Sequence, residues 1–397
     1  MMEFNKQTVR DVEVAGKTVL VRVDWNVPGD DSGAVTDDYR IVQSLPTLRY
    51  LIENNAKIVV MSHRGRPKGE SVAKYSLAPA AERAGQLLER DVDFVDETVG
   101  KRVQSRIEQL EPGEVLCLEN LRFDPREKQN DDGFAAELAS GCDLFVQDGF
   151  GVVHRAHAST AAITEQLPSV AGLLVEREVL TITEAMLKPE RPLVAVIGGA
   201  KISDKIEVIE QFLSLSDTVL IGGAMANTFL VAKGYDVGDS LYEEDAVDTA
   251  KQLLEADHNA ELKLLTDGGV GVATEIDAKA ERTDKQVEDV TKDDIILDVV
   301  ISDEVTEGLR NAATIIWNGP VGYAELPKFA TGSQDVAAAT VGRPMTIIGG
   351  GDTAGFVLDW GQSHDGSFSH VSTGGGASLD LMAGKELPGV VMLDGND

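Results

Sequence analysis

The chain has 397 residues, 43% of them hydrophobic, with 67 acidic against 36 basic residues and a formal net charge of -31. That length is long for one core and ample for two, and the acidic excess excludes nucleic acid and anionic membranes as partners. No run of about 18 apolar residues is present to span a bilayer, and the first residues lack the basic-then-apolar pattern of an export signal, so a soluble cytoplasmic protein is expected.

Strand and helix patterns alternate from the start. Residues 18–23, 57–61 and 115–118 read as buried strands, with a helical stretch such as 76–89 between them. Residues 172–187 have apolar spacing suited to one long helix, and Pro189 and Pro192 follow it. The same grammar restarts at 193–197 and continues at 218–221, 262–265, 314–317 and 345–348. The expected fold is α/β, two doubly wound parallel-sheet (Rossmann-like) domains in α/β/α layers. Their expected bounds are 1–170 plus 385–397, and 171–384, with helix 172–187 as the hinge. Cys117 and Cys142 have no C-x-x-C spacing and sit in apolar stretches, so both are expected as buried thiols.

The charges are interspersed along the chain and do not form an acidic tail. Such a surface repels itself in dilute buffer, and at 1 M salt the Debye length falls to roughly 3 Å. A halophilic protein is the expectation.

Glycine turns carry the chemistry of the second half. Ile197-Gly198-Gly199-Ala200-Lys201 and Ile348-Gly349-Gly350-Gly351-Asp352-Thr353 each follow an apolar strand and lead towards a helix, so backbone N–H groups can approach phosphate closely. The first adds Lys201 and Lys205, and the second a carboxylate suited to Mg2+. A Walker A motif is absent from the sequence. Gly222-Gly223 and Gly374-Gly375-Gly376 also follow strands, while Gly268-Gly269-Val270-Gly271 reads as a plain turn.

Basic groups mark the strand ends of the first half: Arg22, Arg40, His63, Arg64, Arg66, Arg122 and the His154-Arg155-Ala156-His157 segment. In so acidic a chain they point to a small anionic substrate, since Arg grips carboxylate or phosphate bidentately. Pairing with neighbouring Asp and Glu is the alternative use. Asp24-Trp25-Asn26 ends the first strand, where open α/β sheets place ligand groups or an Asx turn. His154 and His157 have the spacing of half a metal site but lack an evident third ligand.

Seven segments together resemble phosphoglycerate kinase from end to end. They are 22–28 (RVDWNVP), 62–67 (SHRGRP), 119–123 (ENLRF), 198–201 (GGAK), 317–320 (WNGP), 350–353 (GGDT) and 372–378 (STGGGAS). The resemblance implies reversible phosphoryl transfer between ATP and the carboxylate of 3-phosphoglycerate, giving ADP and 1,3-bisphosphoglycerate, in a monomer that closes about its hinge. By that resemblance Asp24, Asn26, Arg40, His63, Arg66, Arg122 and Arg155 hold the glycerate, with Arg40 facing its carboxylate. Gly199, Ala200, Gly223, Pro320 and Glu325 would line the adenosine site. Lys201, Lys205, Asn318 and Gly350 would reach the phosphates, and Asp352 would ligate Mg2+ beside Thr353. Lys201, Arg40 and the amides at Gly351 and Gly375 would act on the moving phosphoryl group. Ala224 in place of a glycine, 322–325 (GYAE) before and at the glutamate, and Trp25 in place of a smaller aromatic depart from the family pattern.

Two other classes remain open on sequence. A different acyl-phosphate-forming kinase would keep the nucleotide half and grip another carboxylate. A two-lobed solute-binding protein would close on an anion without consuming ATP.

Overall fold

The computed structural model describes residues 4–361 and 367–396. The chain divides into two compact units, Met1–Leu180 with Lys385–Asp397, and Thr181–Gly384.

The first unit is built on a six-stranded sheet of β1 (Thr18–Arg22), β2 (Lys57–Met61), β3 (Val92–Phe94), β4 (Val115–Cys117), β5 (Leu144–Gln147) and β6 (Ser169–Ala171). Its order is β3-β4-β2-β1-β5-β6, and every pairing is parallel. β1 is buried along its whole length because helices cover both faces of a parallel sheet, which is why it reads as a continuous apolar run. Helix Tyr39–Glu53 buries Ile41, Leu45, Leu48 and Leu51 at i, i+4, i+7 and i+10, the stripe that faces the core. Ala80, Ala81 and Ala84 of helix Ala78–Leu88 lie in the same core. The C-terminal segment returns to this unit, where Gln7 N–H donates to Asp394 O at 2.9 Å and Gly389 N–H to Val153 O at 2.8 Å.

The second unit repeats the plan with β7 (Leu193–Ile197), β8 (Thr218–Ile221), β9 (Glu261–Leu264), β13 (Thr314–Asn318), β14 (Met345–Gly349) and β15 (His370–Val371). The order is β15-β14-β13-β7-β8-β9, again all parallel. A smaller antiparallel sheet stands beside it, ordered β11-β10-β12 from β10 (Val270–Ala273), β11 (Thr283–Lys285) and β12 (Ile295–Val299). This sheet is not among the elements that the apolar patterns predict. It also corrects the turn expected at 268–271, because Val270 and Gly271 pair with β11 and β12.

Helix Leu173–Leu187 occupies the stretch expected for the linker, and the division between the units falls inside it. Cys117 is buried, whereas Cys142 is only half-buried, since it follows the end of helix Asp132–Ala139 at the surface. Among the described residues no helix is long and apolar enough to cross a membrane.

In both units the chain order reverses beside the first strand, at β1 and β5 in one and at β7 and β13 in the other. Parallel strands put their carboxyl ends on one edge, and such a reversal leaves a crevice there. The loops after β1, β2, β4 and β5 share one edge, and those after β7, β8, β9, β13, β14 and β15 share another.

Candidate functional site

On the first unit the loop after β1 carries Asp24 and Asn26. Asp24 is 5% exposed, and its carboxylate faces Arg40 at 3.3 Å and His63 Nδ1 at 3.7 Å. Arg40 also donates to Asn26 O at 3.1 Å, and Asn26 Oδ1 accepts from Gly65 N–H at 2.8 Å. The loops after β1 and β2 are thereby tied together. Arg122, from the loop after β4, donates to Gly65 O at 2.9 Å.

Burial, reinforced by Arg22, Arg122, Arg40 and Arg155, holds His63 well below the usual imidazole range, so it is neutral at pH 7. Desolvation and the positive charges of Arg22 and Arg155 lower Arg122 to about 10. Cations that repel one another at a sheet edge suit an anion placed among them. Arg155 is exposed and donates to His154 Nε2 at 3.0 Å, and Arg66 is exposed. Asp24, Asn26, Arg40, His63, Arg122 and Arg155 therefore gather at one sheet edge. No described interaction joins Arg66 to them.

Two arginines of the basic set have internal work instead. Arg22 is 1% exposed, donates to Ser159 Oγ at 2.9 Å and meets His63 Nδ1 at 3.1 Å. Ser159 Oγ in turn donates to the fully buried Glu127 carboxylate at 2.7 Å. Arg64 donates to Gly33 O at 2.8 Å and Val27 O at 3.2 Å, which pins the loop after β1. Their role as anion grips is corrected to that of buried struts. Glu127 and Ser159 were missed in the sequence, where neither sits in a glycine or arginine motif. Trp25 is fully buried and donates its indole N–H to Ser44 Oγ at 3.0 Å, so this large aromatic packs within the core.

On the second unit a cavity of about 470 Å³ opens at the sheet edge, lined by Gly199, Ala200, Gly223, Pro320, Glu325 and Asp352 with apolar Leu241, Ile276 and Val321. Its floor is backbone. Gly223 has φ 70°, and a Cβ there would stand 2.6 Å from Gly199 N and O, so a side chain would separate the two loops. Ala224 also lines the cavity, as does Tyr323.

Beside the cavity Lys205 Nζ donates to Gly198 O at 2.7 Å and to Asn318 O and Oδ1 at 3.2 and 2.8 Å. Asn318 is 1% exposed, and its Nδ2 has no partner among the described residues. Burial lowers Lys205 to about 8, with Asp352 and Asp204 opposing the shift. Thr353 is buried and its Oγ1 accepts from Gly319 N–H at 2.7 Å, which locks the loop after β13 to helix Gly351–Gly361. Gly350, with φ 86°, turns the chain into that helix, so the Gly351 and Asp352 N–H groups are at its first turn. Gly375 caps the short helix Gly376–Met382. Lys201 is exposed, near the Glu243 carboxylate, which accepts from Ser203 Oγ at 2.5 Å and Ser203 N–H at 3.1 Å.

A divalent cation fits this edge. Asp352 is an exposed carboxylate on the cavity wall, and Mg2+ prefers one or two carboxylates plus phosphate oxygens over a cage made by protein alone. Among the described residues no group of three His, Cys, Asp or Glu could hold a metal.

A family model described as phosphoglycerate kinase matches residues 9–385. The phosphoglycerate kinase of Chloroflexus aurantiacus is 49% identical over 398 residues, covering 98% of this chain and 99% of that one. Among solved structures, phosphoglycerate kinase from Coxiella burnetii superposes with a TM-score of 0.83 at 35% identity, and that from Pyrococcus horikoshii OT3 with 0.83 at 30%. Each covers 98% of both chains.

Proposed function

The chain belongs to the phosphoglycerate kinase family, and we propose that its first unit holds the acyl acceptor and its second the nucleotide. It is a phosphotransferase with a carboxyl acceptor: a phosphoryl group passes reversibly between ATP and 3-phosphoglycerate, giving ADP and 1,3-bisphosphoglycerate. The observation that carries the division is the contrast of the two sheet edges. One gathers Arg40, Arg122 and Arg155 around a neutral His63; the other offers a cavity with a glycine floor and apolar walls beside a lysine.

A carboxylate acceptor, with a reference pKa near 4, is already ionised at pH 7, so no general base is needed. What remains is positioning and neutralisation of charge on the transferring group. Arg40 turns the acceptor carboxylate, while Asp24 and Asn26 take the hydroxyl and Arg66, Arg122, Arg155 and His63 the phosphate end. Lys201 follows the moving phosphoryl group, and N–H groups at Gly351 and Gly375 donate to its equatorial oxygens. Lys205 and Asn318 brace the phosphate edge, with Gly350 and Thr353 shaping it, and Glu325 accepts from ribose hydroxyls. Mg2+, held by Asp352, would neutralise phosphate charge when bound.

The proposal includes closure of the units about helix Leu173–Leu187, which brings the reactants in line and excludes competing water. It also includes a monomer working in a salt-rich cytoplasm.

Calorimetric titration tests the division. Arg66→Ala should weaken 3-phosphoglycerate by about 1.5–3 kcal/mol, the value of a lost charged hydrogen bond, and leave Mg-ADP affinity intact. Asp352→Ala should do the reverse. Loss of Mg-ADP binding in the arginine variant, with 3-phosphoglycerate binding unchanged, would contradict the assignment.

A further inference from the structure

Among the polar side chains lining the cavity of the second unit, Thr266 is both buried and without a hydrogen-bond partner for its hydroxyl among the described residues. Thr266 follows β9, lies in the turn Leu265–Gly268 and lines the cavity while only 1% exposed. Its Oγ1 is buried and has no hydrogen-bond partner among the described residues. Buried hydroxyls in folded proteins nearly always have one, so an orphan in the lining of a cavity calls for a partner, and a ligand in that cavity can supply it.

The other polar side chains of the lining that the transfer leaves unassigned are either hydrogen-bonded or, like Tyr323, exposed to solvent. Ser240 Oγ accepts from Ile296 N–H at 2.8 Å and donates to Val237 O. The Asp298 carboxylate takes the Arg282 guanidinium and accepts from Gly332 N–H at 3.0 Å. Asp239 is exposed to solvent. The lining also includes apolar Ile296, Val299 and Val321. Such a wall accepts the face of any flat ring and does nothing to fix its edge.

We infer that Thr266 is the side chain that fixes the edge of the purine base, its hydroxyl bonding to a ring nitrogen or exocyclic group. The inference rests on reading this cavity as the nucleotide site. A hydroxyl both donates and accepts, so it strengthens the hold on the base without by itself choosing between adenine and guanine.

The test compares Mg-ADP with Mg-pyrophosphate, which has no base, by calorimetry on the full chain. Thr266→Val removes the hydroxyl at nearly constant volume, and Thr266→Ala is a second hydroxyl-free variant. Both should raise the Kd for Mg-ADP about three- to tenfold, the range of one neutral hydrogen bond, and leave that for pyrophosphate unchanged. Thr266→Ser should retain the affinity of the parent for Mg-ADP. Parent-like Mg-ADP binding in the hydroxyl-free variants would overturn the inference, as would an equal loss of both ligands. A parent protein that binds neither ligand would instead overturn the nucleotide reading beneath it.

Discussion

Lys201 and Lys205 stand on one loop, and only Lys205 is anchored by hydrogen bonds to Gly198 and Asn318. Its ammonium, lowered to about 8 by burial, joins the ends of β7 and β13. Lys201 is exposed, free to follow charge that moves. Lys201→Ala should therefore reduce kcat by about 10²–10³-fold while changing the KM for ATP little, because its charge matters most as the phosphoryl group leaves. Steady-state kinetics with ATP varied would check this, and an unchanged kcat would remove Lys201 from the mechanism. The same contrast governs what could be read from sequence. Arg64 sits in the same motif as Arg66 and Arg22 in that of Asp24 and Asn26, and residue type alone cannot separate a strut from a grip. Arg22 becomes a strut through Ser159 and Glu127, far away in sequence, and Thr266 is a lone threonine until its burial and missing partner are seen.

Helix Leu173–Leu187 was legible from its apolar spacing, but its anchorage was not. Leu173 N–H donates to Thr47 Oγ1 and Leu174 N–H to Asp148 Oδ1, each at 2.9 Å, so side chains from other elements hold its first turn. Asp148 is fully buried, and desolvation raises it to about 7 against the bonds from Thr47, Leu174 and Val175. A carboxyl whose folded-state pKa is raised binds its proton more tightly when folded. Its contribution to stability is therefore present at low pH and lost as pH rises from the ordinary carboxyl value of 3.8 to about 7. Asp148→Asn removes that loss, so the variant should gain on its parent across this window and keep a constant difference above it. Urea midpoints measured at a series of pH values would show this, and parallel pH profiles would contradict it. The antiparallel sheet was missed for a different reason. β11 is Thr283–Lys285, with no apolar alternation to announce it, and its pairing depends on β10.

For the whole molecule the net charge of -31 dominates. Exposed pairs such as Arg191 with Asp217 at 2.7 Å and Lys251 with Glu255 at 3.9 Å are worth about 0–1 kcal/mol each, too little to offset repulsion among the remaining carboxylates. Screening can do so, since the Debye length shrinks from about 10 Å at 0.1 M to about 3 Å at 1 M. The thermal midpoint should rise as KCl is raised from dilute buffer to several molar. A flat or falling midpoint would show that the acidic surface serves solubility alone.

The decisive measurement is ADP formation from Mg-ATP, followed with and without 3-phosphoglycerate in several molar KCl. Turnover should depend on 3-phosphoglycerate and disappear when it is withheld. ATP consumption indifferent to 3-phosphoglycerate, or none with it present, would rule out 3-phosphoglycerate as the acceptor and leave the cluster of Arg40, Arg122 and Arg155 in need of a different anion.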